Sequence, residues 1–127
     1  MLNFGLPPKT IDCLMTYFKS KTDIEKVLIF GSRARGNFRN GSDIDFAIWT
    51  DNHEYFYRIW GELDELPTPY KFDVIDYKVL SHEGMKSSID KDGIIFYEKI
   101  SYFNLNWQKI FLEGFNSVLR RNYADIK

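Results

Sequence analysis

The chain has 127 residues, of which 44% are hydrophobic and 28% are charged, so it is long enough for one compact domain and too apolar for wholesale disorder. Its formal net charge of −1 argues against a protein that binds polyanions over its whole surface, so any attraction for phosphate must be local. The single cysteine, Cys13, excludes an internal disulfide and a cysteine-rich zinc site. No apolar run approaches membrane-spanning length, and we therefore expect a soluble, cytoplasmic protein.

The first half of the chain predicts a helix, two strands and a second helix. Apolar residues at helical spacing favour a helix over 10–20, with Thr10 as a candidate N-cap. VLIF (27–30) and IDFAIW (44–49) are short apolar runs that predict strands. The segment 54–66 again has helical spacing and stops before a proline.

The next thirty residues predict a strand, a helix and a last strand. KFDVIDY (71–77) favours a strand, and Ser81 is a candidate cap for a helix over 81–93. IIFYE (94–98) predicts a fourth short strand. This order indicates an α/β (α+β) domain over residues 1–98, in which a small mixed sheet of about four strands is flanked by helices.

The remaining segment, 99–127, forms a separate C-terminal helical extension in this interpretation. It contains an amphipathic helix pattern whose apolar face includes Trp107, Phe111 and Phe115. Such a face either packs on the domain core or forms a surface for a partner or a dimer. Because the preceding elements already make a complete small domain, we expect a partner or dimer surface with these three residues as anchors.

A glycine and a serine follow the first predicted strand and indicate a phosphate-binding turn. Gly31 lets the backbone approach a ligand closely, and a helix begun at Ser32 would direct free amide groups at an anion. Arg33, Arg35 and Arg39 crowd the same turn and are suited to forked hydrogen bonds with phosphate oxygens. The alternatives are that Ser32 only caps a helix and that the arginines, above all Arg39, are solvated.

Two aspartates mark the second predicted strand. Asp43 and Asp45 are two residues apart in an extended segment, so their side chains leave the same sheet face about 7 Å apart. Neighbouring like charges repel each other, whereas a divalent cation removes the repulsion and prefers oxygen ligands. Asp43 alone is also explained by the turn before it, but Asp45 lies inside the strand between two apolar residues.

A third carboxylate would complete the cluster and allow a second metal ion. The third strand offers Asp73 on one face and Asp76 on the other. If this strand pairs beside the second, Asp73 joins the first two aspartates, and parity favours it over Asp76. Two ions about 4 Å apart would clamp the attacking and leaving oxygens of an in-line displacement at phosphorus.

The pattern of Gly31-Ser32, ten further residues, Asp43-Ile44-Asp45 and a later strand aspartate resembles the polymerase-beta-like nucleotidyltransferase superfamily. Within it, GSRARG followed by SDIDFAI is similar to the minimal nucleotidyltransferases, the MNT type, which often act as antitoxins beside HEPN toxins. The resemblance covers roughly residues 10–98 and does not extend to the C-terminal helix.

The resemblance implies a nucleotide-binding role for the residues of the glycine-serine turn. Gly31 and Ser32 would hold the triphosphate of ATP or another nucleoside triphosphate. Arg33 and Arg35 lie where the family has a basic turn, so they are assigned to phosphate as well. Ser42, at the start of the second motif, is included among the nucleotide-binding candidates.

The resemblance also implies catalytic and metal-binding roles for Asp43, Asp45 and Asp73. The first two would bind both of two Mg²⁺ ions. Asp73 would bind the catalytic ion and help to deprotonate the acceptor hydroxyl. The nucleotide's α-phosphate is then transferred and pyrophosphate is released.

Three functional hypotheses follow. For MNT antitoxins the resemblance implies transfer of AMP from ATP to a tyrosine of a cognate HEPN toxin, without stable binding to nucleic acid. The second hypothesis is an antitoxin of the same fold that neutralises its partner by masking it, with little catalysis. A third, transfer to a small molecule such as an aminoglycoside, is disfavoured because the larger family members that do so carry a second domain.

Overall fold

A computed structural model describes residues 3–99, in which four strands form one sheet and helices cover both of its faces. Two single turns of 3-10 helix, His53–Tyr55 and Tyr77–Val79, come after the second and third strands. In chain order the regular elements are α1 (Pro8–Lys19), β1 (Ile24–Phe30), α2 (Gly31–Arg35), β2 (Ile44–Thr50), α3 (Phe56–Glu65), β3 (Phe72–Asp76), α4 (Glu83–Asp92) and β4 (Ile94–Glu98).

The sheet has the strand order β3-β2-β1-β4. β1 pairs antiparallel with both β2 and β4, whereas β2 and β3 run parallel. A parallel pair needs a crossover connection, and α3 supplies it between β2 and β3. The predicted mixed sheet of about four strands, flanked by helices, is therefore confirmed.

Alternate residues of β2 face two different cores. Ile44, Phe46 and Ile48 are fully buried in a core that they share with residues of α1 and α3. Phe18 of α1 is also fully buried there, and its ring meets that of Phe46 edge-on with the centroids 5.3 Å apart. Ala47 faces the smaller core beneath α4. Aromatic side chains thus make up a large part of the larger core.

β1 is longer than its apolar pattern predicts. It begins at Ile24, and the three additional residues 24–26 include two charged side chains that carry no apolar signal. Lys26 pairs with Trp49 in β2, and its ammonium nitrogen lies 4.3 Å from the centroid of the Trp49 ring. This cation–π contact allows a polar residue to extend the strand.

Two helices begin differently from the prediction. Pro8 opens α1, where its missing amide hydrogen is not needed, so Thr10 is a buried residue of the helix and not its cap. His82, and not Ser81, caps α4, because its Nδ1 accepts a hydrogen bond from the Met85 amide at 2.9 Å. None of the helices within residues 3–99 has the length and apolar character needed to cross a bilayer.

The predicted C-terminal extension lies outside the described residues, apart from Lys99 at its start. Three statements about it therefore stay predictions: its amphipathic helix, its separation from a 1–98 domain, and its anchor residues Trp107, Phe111 and Phe115.

Replacing Phe18 by alanine should cost about 3–5 kcal/mol of the free energy of unfolding, because Phe18 is fully buried among aromatic rings. Tyr57→Ala is the matched control. Its side chain is 76% exposed, so its loss should change stability by less than about 0.5 kcal/mol. Urea unfolding of both variants measures the difference, and equal losses would contradict the described core.

Candidate active site

β1 delivers Gly31 to one edge of the site. Gly31 has a φ of +71°, and a Cβ at this position would overlap Oδ2 of Asp45. Both features favour glycine, because the left-handed region strains other residues and because the space beside it is taken by a carboxylate. Ser32 follows in α2 and is half-buried. The main chain of the predicted phosphate turn therefore lies directly against Asp45.

The parallel pairing of β2 and β3 brings two of the predicted aspartates together. Asp45 is the register partner of Asp73, so their side chains leave the same face of the sheet from neighbouring strands. Asp45 also pairs with Phe30 at the end of β1, one residue before Gly31. Asp45 is half-buried, whereas Asp73 and Asp43, which immediately precedes β2, are exposed.

The environment of Asp45 opposes its negative charge. Burial is the largest cause, the carboxylates of Asp73 and Asp43 add to it, and together they raise the pKa of Asp45 to about 6. Arg35 and Arg33 act in the opposite direction without cancelling the shift. The positive charges of the chain therefore do not fully compensate the negative charge of ionised Asp45. Such an environment is expected where a cation binds.

The aspartates fit Mg²⁺ as a pair. Within residues 3–99, no group of three or more histidine, cysteine, aspartate or glutamate side chains is arranged to hold a metal ion. Mg²⁺, however, commonly takes one or two carboxylates and completes its shell with water and substrate phosphate. Asp45 and Asp73, held opposite each other by the strand register, meet that requirement. The second ion, and the participation of Asp43, stay predictions.

The structure corrects the phosphate-binding role that the sequence assigned to Arg33. Its side chain is only 2% exposed, and its guanidinium donates hydrogen bonds to main-chain oxygens. Nε and Nη2 reach the Ser42 carbonyl at 3.2 and 2.9 Å, and Nη1 reaches the Phe4 carbonyl at 2.9 Å. The expected phosphate contact of Arg33 is replaced by contacts within the fold, because this arginine is enclosed by its own chain.

The other predicted turn residues remain at the surface. Arg35 has a 44% exposed side chain, and its Nη1 lies 3.5 Å from Oδ2 of Asp92 in α4. The Ser42 hydroxyl accepts a hydrogen bond from the Arg39 amide at 2.9 Å and so closes the turn before β2. The nucleotide-binding roles of Arg35 and Ser42 stay predictions, and Arg39 is exposed as expected for a solvated turn.

The alternation of β3 separates Asp73 from Asp76. Asp76 is buried on the face opposite to Asp73, and its Oδ2 lies 2.7 Å from Nδ1 of His53. The structure therefore places Asp73, and not Asp76, beside Asp45. No local pattern in the sequence signals this contact, because the two residues are 23 positions apart.

Gly31→Ala should lose more stability than Gly36→Ala, which serves as its control. Both glycines have positive φ values, +71° and +87°, so each substitution strains the backbone by about 1–2 kcal/mol. Only Gly31 also faces the Asp45 carboxylate, whereas nothing lies within 4 Å of a Cβ at Gly36. Urea unfolding measures both variants, and equal losses would show that Asp45 does not occupy the space beside Gly31.

Asp45 should make the metal-free protein less stable as the pH rises from about 4 to about 6. Its pKa is higher in the folded chain than in the unfolded chain, so folding favours the protonated form and this advantage is lost as Asp45 ionises. After solvent screening of this half-exposed group, the effect is about 1 kcal/mol.

The matched measurement compares wild type with Asp45→Asn by urea unfolding in EDTA. The variant should be more stable than wild type at about pH 7 and equal to it at about pH 4, because the amide cannot ionise. The same difference at both pH values would rule out charge as its cause.

Solved structures of toxin–antitoxin complexes contain chains with a similar fold. A chain of a toxin–antitoxin complex with AMP-PNP matches with a TM-score of 0.58 and 12% identity, over 90% of this chain and 98% of that chain. A chain of a mutant MntA-HpeT toxin–antitoxin complex matches with a TM-score of 0.53 and 12% identity, over 94% of this chain and 100% of that chain. A structure from Shewanella oneidensis matches with a TM-score of 0.52 and 12% identity, over 92% and 95% of the two chains. At these identities the likeness shows a shared fold alone.

A search of curated protein sequences found no significant match. The family model described as "Polymerase beta, Nucleotidyltransferase", in contrast, matches residues 13–101, well over half of the chain. The matched range includes the phosphate turn and the three aspartates whose geometry is described above. The chain therefore belongs to the polymerase beta nucleotidyltransferase family.

Proposed function

We propose that the chain transfers AMP from ATP to a hydroxyl of a partner protein, and that the acceptor is a tyrosine of a HEPN toxin that the chain neutralises as an antitoxin. One observation carries the proposal: Asp45 and Asp73 are register partners, and the main chain of Gly31 lies against Asp45. A pair of carboxylates beside a phosphate turn is suited to metal-assisted, in-line transfer at phosphorus.

The nucleotide would lie across the turn between β1 and α2. Gly31 allows the main chain to approach the triphosphate, and Ser32 adds a hydroxyl donor. Arg35, exposed at the end of α2, adds positive charge on the same side as Asp45. Asp45 and Asp73 would hold Mg²⁺, which would supply the positive charge that the arginines do not provide.

The reaction forms one bond at phosphorus and breaks another. The acceptor oxygen bonds to the α-phosphorus, the bond from that phosphorus to the bridging oxygen breaks, and pyrophosphate leaves with the electron pair. Asp73 accepts the proton of the acceptor hydroxyl. Its exposed position allows an incoming hydroxyl to reach it, whereas half-buried Asp45 faces the phosphate turn.

Two further observations support a protein as the acceptor. Asp43 and Asp73 are both exposed, so the open side of the site is accessible to a large molecule. The solved structures with a similar fold include chains of toxin–antitoxin complexes, one of which holds AMP-PNP. The similarity to these complexes is an analogy between folds, and it supports a toxin as the class of partner.

A masking antitoxin is the second candidate. Tyr57 and Val79 are 76% and 59% exposed, and both line a groove of about 530 Å³ beside β3. Exposed apolar side chains around a groove favour binding to another protein. In this alternative the partner is neutralised by contact alone, and the aspartates contribute no turnover.

Asp43→Asn should abolish transfer while leaving the fold intact, because Asp43 is an exposed residue outside the core. The purified chain is incubated with Mg²⁺ and ATP labelled at the α-phosphate in a lysate of its source cell. Label on a protein band is expected with wild type and at less than about 1% of that level with the variant. Asp64→Asn, an exposed aspartate of α3, is the matched control and should label normally.

Mass spectrometry of the labelled band then identifies the protein and the modified residue. Equal labelling by Asp43→Asn would contradict the proposed mechanism. Absence of label, together with capture of one and the same toxin by wild type and Asp43→Asn, would favour masking. Omission of Mg²⁺ or addition of EDTA should remove the label from the wild-type reaction.

A further inference from the structure

Arg33 is a buried cation whose hydrogen bonds are made to the chain's own carbonyl oxygens. It is 2% exposed, and no carboxylate within residues 3–99 forms an ion pair with it. Removing a charge from water without a counter-charge is costly unless hydrogen bonds replace the lost hydration. Its position, one residue after Ser32, therefore calls for a structural reason.

The guanidinium joins two irregular segments to α2. Its Nε and Nη2 form a fork on the carbonyl oxygen of Ser42, at 3.2 and 2.9 Å, in the loop that ends at Asp43. Its Nη1 donates to the carbonyl oxygen of Phe4, at 2.9 Å, in the segment before α1. Both acceptors belong to segments that no strand or helix hydrogen bonds hold in place.

Two aromatic rings make cation–π contacts with the guanidinium. Its central carbon lies 5.1 Å from the ring centroid of Phe38 and 5.0 Å from that of Tyr70. Phe38 belongs to the same loop as Ser42, and Tyr70 comes shortly before the β3 residue Asp73. Arg33 thus contacts the loop that carries one predicted metal ligand and the approach to the strand that carries another.

We propose that Arg33 is a positioning residue, which holds the Ser42 carbonyl and thereby sets Asp43 relative to the Gly31–Ser32 turn. This inference rests on the function proposed above for the aspartates. The loop needs such an anchor, because residues 39–41 are exposed and Gly41 has a φ of +83°. Within the loop itself, two hydrogen bonds close the turn. The Arg39 amide donates to Ser42 Oγ at 2.9 Å, and the Ser42 amide donates to the Arg39 carbonyl at 3.0 Å.

The geometry requires arginine and not merely a positive charge. A fork on one carbonyl together with a third bond to Phe4 uses three separate nitrogens in one plane. The guanidinium also makes cation–π contacts with the rings of Phe38 and Tyr70. Lysine has a single nitrogen, so it keeps the charge and cannot form the fork on Ser42 together with the separate bond to Phe4. Arg33→Lys therefore isolates the positioning role from the effect of charge.

The first measurement is hydrogen exchange of the Arg39 and Ser42 amides, whose hydrogen bonds close the loop. In Arg33→Lys both amides should exchange about tenfold faster or more, whereas amides of β1 and β2 should change little. Arg39→Lys is the matched control, since it makes the same substitution in an exposed residue of the same loop and keeps its main chain. Unchanged exchange in folded Arg33→Lys would overturn the proposal.

The second measurement is titration of Mg²⁺ in the presence of ATP, with calorimetry as the readout. The Mg²⁺ concentration for half-maximal ATP binding should rise about tenfold or more in Arg33→Lys and stay near the wild-type value in Arg39→Lys. A purely structural role would lower the unfolding midpoint without changing this dependence in the folded protein. Wild-type Mg²⁺ dependence in folded Arg33→Lys would thus overturn the positioning of Asp43.

Phe38→Leu provides a second variant if Arg33→Lys does not fold. It removes one of the two rings in cation–π contact with Arg33 and leaves every hydrogen bond of Arg33 available, so the same two changes are expected in smaller degree. No change in either measurement would overturn the proposal. Faster loop exchange in Arg33→Lys, combined with a wild-type protein that binds ATP without any Mg²⁺ dependence, would instead contradict the proposed function of the aspartates.

Discussion

Two like charges held side by side are the constraint on which the site depends. Asp45 and Asp73 are register partners on parallel strands, so the main-chain hydrogen bonds of the sheet prevent them from moving apart. Burial and the neighbouring carboxylates raise the pKa of Asp45, which means that folding is opposed by its charge. The core must offset this cost, and a bound cation would relieve it. The pairing of β2 with β3 therefore creates a local demand for positive charge.

β2 contributes both to the core and to the site, because its two faces carry different side chains. Ile44, Phe46 and Ile48 are fully buried beneath α1 and α3, which keeps the strand in the middle of the sheet. Asp45 leaves the opposite face, near the point where β1 ends at the phosphate turn. One strand thus contributes to the core and to the site, because successive side chains of a strand alternate in direction.

Three adjacent strands each contribute one part of the site. β1 ends in the glycine-serine turn, β2 carries Asp45 and β3 carries Asp73. Arg33 contacts the Ser42 carbonyl in the segment between β1 and β2, and the Phe4 carbonyl in the segment before α1. Asp43 and Asp73 are exposed to solvent, while Asp45 faces Gly31. The open side of the site is therefore compatible with the large acceptor proposed above.

The sequence by itself determined the features that depend on near neighbours in the chain. Local apolar patterns and turn residues predict the glycine-serine turn, the two strands 27–30 and 44–49, and the last strand 94–98. Side-chain parity distinguished Asp73 from Asp76. Only the tertiary structure decided the task of Arg33 and the pairing of His53 with Asp76, because their partners are many residues away. A cluster of arginines after a glycine-serine pair predicts phosphate binding equally for each of these arginines. Which guanidinium is enclosed and which stays in solvent depends on how distant segments pack around it, and that is a property of the folded chain.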